Sequence, residues 1–200
     1  MRKIVLYISA FLALFSCSEE SSLVFYEDNF IMEENAIIEI NIPKAEGTSD
    51  VANKINSQLE DFVVNALTQN KNATNSETIQ EAAQTFNTEY MNFATNLDEE
   101  AQPWEAFIDG EITLESSEVI SIALNNYLNT GGIHGNSVIS FMNFDPSSGE
   151  IYDYTDIIEH LEDLRALVSQ HLKKAISEEI DATEILSNYQ VVLPETLGFN

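Results

Sequence analysis

Cysteine is almost missing from this chain: Cys17 is the single one among 200 residues. No disulfide can form within the molecule, and no cysteine-rich zinc cluster can be built. Basic residues are scarce as well, with eight Lys and Arg against 34 Asp and Glu, a net charge of −26. Nucleic-acid binding relies on Lys and Arg to neutralise phosphates, and this balance argues against it; it argues equally against an anionic membrane surface. Only three histidines are present, and no His-Glu-x-x-His spacing occurs, so no transition-metal site is expected; an Asp-x-Asp-x-Asp-Gly loop is missing too, which leaves only a weak calcium site among the acidic pairs open. A Gly-x-Ser-x-Gly elbow is lacking too, which removes the usual frame for a nucleophilic serine. A run of the roughly 20 apolar residues needed to cross a bilayer is also missing.

What the N-terminus does have is Arg2 and Lys3, a short apolar stretch over residues 4–15, and the small Ser16. That order is an export signal, expected to span residues 1–16 and to be set aside from fold reasoning. Leu14-Phe15-Ser16-Cys17 resembles a bacterial lipobox, with Phe15 bulkier than the usual residue there. The resemblance implies cleavage before Cys17 and acylation of that residue. At about 0.8 kcal/mol for each buried methylene, several acyl chains hold a protein on a membrane without a spanning helix. The alternative is an ordinary cleaved signal beside a chance cysteine. Ser18-Glu19-Glu20 resembles the surface-export signal of some Gram-negative lipoproteins, and it suits an acidic tether over residues 17–30 equally well. The expected location is the bacterial cell envelope, as an outer-membrane lipoprotein exposed at the surface. Removing residues 1–16 leaves six basic residues against 34 acidic ones, a net charge of −28. Such a surface attracts cationic proteins in a salt-dependent way; solubility is the competing explanation.

The whole chain is 44% hydrophobic, and the 170 or so residues over 31–200 suffice for one compact domain. Residues 23–30 read as a lead-in. Ile38, Ile40 and Ile42 alternate with polar neighbours as a strand that Pro43 ends. Thr48, Ser49 or Asp50 can cap a helix whose stripe runs through Val51, Ile55, Leu59, Phe62, Val63, Ala66 and Leu67. After a polar loop over residues 69–76, Ser76 can cap a second helix with an aromatic stripe, Phe86, Tyr90 and Phe93, ending near Leu97. This stripe reads as core.

The period becomes two from Trp104, through Ala106, Ile108, Ile112 and Leu114, with Gly110 marking a bulge or bend. Alternation continues at Ile120, Ile122, Leu124 and Leu128. Residues 138–144 are apolar on both faces and predict a central strand. Asp145-Pro146-Ser147-Ser148-Gly149 predicts a hairpin returning to Ile151 and Tyr152. A third helix is expected through Ile157, Leu161, Leu164, Val168, Leu172 and Ala175, with Lys173 and Lys174 near its end, and then a late strand over residues 189–193. The fold class is α+β, an antiparallel sheet packed by about three helices.

The stretch most suited to recognition is Thr130-Gly131-Gly132-Ile133-His134-Gly135, between two strand patterns. Its glycines permit positive φ and exposed amides, and His134 adds an imidazole as a polar contact. Thr130, Gly131, Gly132, His134 and Gly135 are the candidate ligand-binding loop; alternatively the glycines make the turn and His134 holds it. No catalytic residue, metal ligand or cofactor is assigned. Acidic pairs such as Glu178-Glu179 read as solvated faces.

Residues 127–136, YLNTGGIHGN, followed by Asn143-Phe144-Asp145, Gly149-Glu150 and Asp156-Ile157-Ile158, resemble the signature of a bacterial domain-of-unknown-function family. It is typified by the extracytoplasmic part of the RsiV-type anti-sigma factor and the N-terminal region of PdaC-type peptidoglycan deacetylases. Ile133 replaces the alanine common there. Ile40-Asn41-Ile42-Pro43-Lys44 and the Asn56-containing helix are similar to the companion N-terminal region. The resemblance implies one α+β unit and, from the RsiV type, recognition of lysozyme. It also implies further strands beyond Asn200, so a C-terminal truncation is expected. A non-catalytic, lipid-anchored envelope protein that binds a lysozyme-like cationic hydrolase or a cell-wall glycan is the functional expectation. The alternatives are a cell-wall glycan-processing enzyme and an envelope scaffold without a soluble ligand.

Overall fold

Ile38, Ile40 and Ile42 do alternate into one core, where each is at most 6% exposed in the computed structural model. The structure describes residues 23–68, 78–97, 101–179 and 196–200; the proposed signal and lipid cysteine, the Ser76 cap and the late strand lie outside them. Five strands form one sheet in chain order: β1 (Phe25–Glu33), β2 (Ile37–Ala45), β3 (Glu105–Glu115), β4 (Ile120–Asn129) and β5 (Asn136–Phe144). All neighbours pair antiparallel except β2 and β3, which run parallel. A parallel pair needs a long crossover, supplied here by α1 (Asp50–Thr68) and α2 (Ile79–Thr95). The short α3 (Tyr154–Ile157) and the longer α4 (Leu161–Glu179) follow the sheet. The result is a single α+β domain, with four helices among the described residues because the expected third helix divides in two.

Both crossover helices lay their stripes on the same sheet face. Ile55, Leu59 and Val63 of α1 and Ala82, Ala83 and Phe86 of α2 are almost fully buried, as are Ile38, Ala106, Ile108, Ile122 and Leu124 of the strands. Ser49 Oγ accepts from the Ala52 N–H at 3.1 Å, a side-chain cap for α1. For α2 the cap is Thr78, not Ser76: its hydroxyl accepts from Glu81 N–H while the Glu81 carboxylate accepts from Thr78 N–H, a reciprocal capping box. Side-chain amides tie these helices to the strands. Asn87 Oδ1 accepts from the backbone of both Asn35 and Ala36 in the β1–β2 turn, and Asn56 pairs both ways with Ala45 at the end of β2.

Several local expectations fail for identifiable reasons. The lead-in becomes β1 from Phe25, because Phe30 and Met32 reach the core. Pro43 does not end β2, which continues to Ala45. The parallel ladder with β3 stops at Asn41 and Asp109, so Pro43 needs no N–H on that side. The bulge lies between Ile112 and Leu114; Gly110 is required by close packing, since a Cβ there would sit 2.7 Å from Pro43 Cδ. β5 is at the end of the described sheet rather than its centre, and Val138 and Ile139 are 47% and 63% exposed. Only its last residues, Asn143 and Phe144, are buried. The turn after it forms, with Gly149 at φ 70°, but the returning arm is a single bridge between Phe144 and Ile151. Leu97 falls beyond α2 and is 45% exposed. Lys173 and Lys174 lie short of the last turn of α4, which carries no basic residue.

Candidate functional site

Residues 130–135 link β4 to β5 at one end of the sheet, and their glycines press against both of its faces. Gly131, at φ 85°, abuts the helix-side aromatics: a Cβ there would lie 3.1 Å from the Phe93 ring and 3.3 Å from Trp104 Nε1. Trp104 is 8% exposed and packs between Phe86, Tyr90 and Phe93, with ring centroids 5.5, 6.0 and 5.4 Å away. The aromatic stripe is therefore core, as its helical spacing predicts. Gly135 abuts the other side, where a Cβ would fall into the Tyr127 ring. The two positions demand glycine for different reasons, a left-handed backbone at Gly131 and a close approach at Gly135.

Between these anchors the loop projects outward. Ile133 is fully exposed, and His134 is exposed with its Nδ1 3.3 Å from the Gly135 carbonyl oxygen. Asn129 Oδ1 accepts from the Gly131 N–H at 3.3 Å and steadies the entry. Thr130 is half-buried, and Gly132 is open to solvent. The structure thus brings Thr130, Gly131, Gly132, His134 and Gly135 together as one projecting loop, while Cys17 lies outside the described residues. Among the described residues, no group of three or more His, Cys, Asp or Glu side chains is arranged to hold a metal ion.

Tyr127 connects the loop to the sheet face that carries no crossover helix. Its ring stacks on Phe107 of β3, with centroids 5.7 Å apart and planes 12° from parallel. Cross-strand side-chain hydrogen bonds mark the same face: Asn41 Nδ2 to Asp109 at 3.2 Å, Asn129 Nδ2 to Glu105 at 3.4 Å, and Ser137 Oγ to Asn125 at 3.0 Å. The far end of this face is covered by the C-terminal residues. Phe199 N–H donates to Ser121 Oγ, and Asn143 Nδ2 donates to the Leu197 carbonyl. Sequence reading missed the Phe107–Tyr127 pair, although Phe107 sits between Glu105 and Asp109 on the polar side of an alternating strand, where a large apolar ring is out of place.

Among the described residues, no helix is long and apolar enough to cross a membrane. No curated protein matches the chain. Two solved structures share its fold. One is a DUF3298 family member from Bacteroides fragilis, with TM-score 0.56 and 16% identity over 84% of this chain and 74% of its own. The other is a DUF3298 family protein from Pseudomonas aeruginosa PAO1, with TM-score 0.56 and 15% identity over 88% of this chain and 78% of its own. A family model described as Deacetylase PdaC matches residues 31–137, from β1 through the glycine loop. Since that span is more than half of the 200 residues, the chain belongs to the PdaC family.

Proposed function

We propose that this protein is a non-catalytic binding module of the cell envelope, anchored through Cys17 and recognising a cationic hydrolase of the lysozyme type. The observation that carries the reading is the projecting loop: a rigid pair of glycine contacts presents Ile133 and His134 to solvent beside an exposed, acidic sheet face. Functional loops held by a rigid scaffold are the usual form of a recognition site. The strong excess of negative charge favours a cationic partner, whose encounter it accelerates. A cell-wall glycan is the other ligand class that fits an envelope protein.

The test is calorimetric titration of the purified full-length protein with a c-type lysozyme at low and at physiological salt. Saturable binding that weakens with salt yet persists at physiological strength is the expected result. Absence of heat at both, with the protein shown folded by circular dichroism, overturns the lysozyme assignment.

The word deacetylase in the family description favours one second reading, an enzyme acting on cell-wall glycan. His134→Ala separates the two. In the enzyme reading it abolishes turnover; in the binding reading the protein has no turnover to lose, and its fold and most of its binding persist.

A further inference from the structure

Resting on the binding-module reading, we infer that the sheet face opposite α1 and α2 is the surface on which a positively charged protein docks, with the stacked Phe107 and Tyr127 rings as its apolar anchor. Three independent observations meet there. The rings are half-buried rather than part of the core, and they lie nearly parallel against each other. Ile139, two residues along β5 from the strand partner of Tyr127, is 63% exposed and extends the apolar centre. Around it stand Glu39, Asp109 and Glu111, all exposed. The five strands place no Lys, Arg or His on this face, because Lys44 points to the helix side and pairs with Asp28 at 2.7 Å.

An apolar and aromatic centre within a rim of one charge sign is the ordinary anatomy of a protein interface. The sign of the rim selects the partner: a cationic surface gains attraction at the edge, while an acidic one is repelled. The surface is also continuous with the glycine loop through Gly135, whose backbone lies against Tyr127. Ile133 and His134 therefore stand at its border, and one partner can touch both.

The other cavity of note, about 340 Å³ between β1, β2 and α1, is a poorer candidate. Lys44 and Asn56 in its lining are already engaged, Lys44 with Asp28 and Asn56 with Ala45.

The experiment compares two charge reversals of equal size in the full-length protein, read by calorimetry with a c-type lysozyme at physiological salt. Glu39→Lys with Glu111→Lys alters the face; Asp61→Lys with Glu89→Lys alters the helices by the same four charges. A third variant, Phe107→Ala, removes the anchor, and circular dichroism checks the fold of each. The proposal expects the face pair and Phe107→Ala each to weaken binding by roughly tenfold or more, and the helix pair by less than about threefold. Equal weakening by both charge pairs, with Phe107→Ala binding normally, overturns this surface while leaving the binding-module reading in place. Failure of the unaltered protein to bind at all overturns both.

Discussion

The two faces of the sheet are built from the same strands, yet they divide the work of the molecule. On one face Ile38, Ile40, Ala106, Ile108, Ile122 and Leu124 disappear beneath α1 and α2. On the other, Phe107 and Tyr127 stack half-buried among carboxylates and amides. The glycine loop is the hinge of this contrast, since Gly131 touches the covered side and Gly135 the open one. Hydrophobic burial is concentrated on one side, and the other is held by a stacked ring pair and cross-strand polar pairs.

The sharpest way to break the comparison is to truncate one ring on each face. Phe86, 1% exposed and in contact with Trp104, should cost about 3–5 kcal/mol on replacement by alanine. Phe107→Ala should cost about 1 kcal/mol or less, because its ring leaves no sealed cavity. Urea unfolding measures both; similar losses would show that the open face is core after all.

Next in size is Asn87→Ala. Asn87 Oδ1 satisfies two backbone donors, Asn35 N–H and Ala36 N–H, where the β1–β2 turn meets α2. Ala36 is fully buried, so its orphaned N–H should cost about 1–3 kcal/mol, again visible as a lower urea midpoint. Gly131→Ala is smaller, at about 1–2 kcal/mol, from forcing a side chain into φ 85°. If Gly131→Ala instead left the midpoint unchanged, the helix-side anchor of the loop would be weaker than its contacts indicate.

Much of the covered face was legible in the sequence, and little of the open one was. The stripes of α1 and α2 and the alternation of β2 and β4 repeat at helical and strand periods, and burial follows period directly. Positions outside any period were misread. The apolar run at residues 138–144 predicts a central strand, but period alone cannot tell a two-sided core strand from one at the end of the described sheet with an exposed isoleucine. Gly110 signals a bulge by residue type, while its true neighbour, Pro43, is 67 positions away in the chain. The glycine loop was found because Gly-Gly-x-His-Gly is locally unusual. Its tie to Phe107 was not, because only strand register brings β3 beside Tyr127.

The smallest expected effect concerns the turn that joins β5 to the helix side, where Gln58 of α1 donates to the Gly149 carbonyl at 2.8 Å. Within this turn the Ser147 hydroxyl and then the Ser147 N–H, both 2.7 Å away, hold the Asp145 carboxyl down from 3.8 to about 2. A carboxylate depressed in the folded state adds stability that is full above its unfolded value and fades as pH falls through its folded one. The loss should therefore run from about pH 4 to about pH 2, and Asp145→Asn should flatten the stability curve in that window only. Thermal melts of both proteins at half-unit pH steps give the answer. If the two curves keep a constant offset throughout, the turn is held by Gly149 and its backbone hydrogen bonds, and the carboxylate adds nothing to the junction between the two faces.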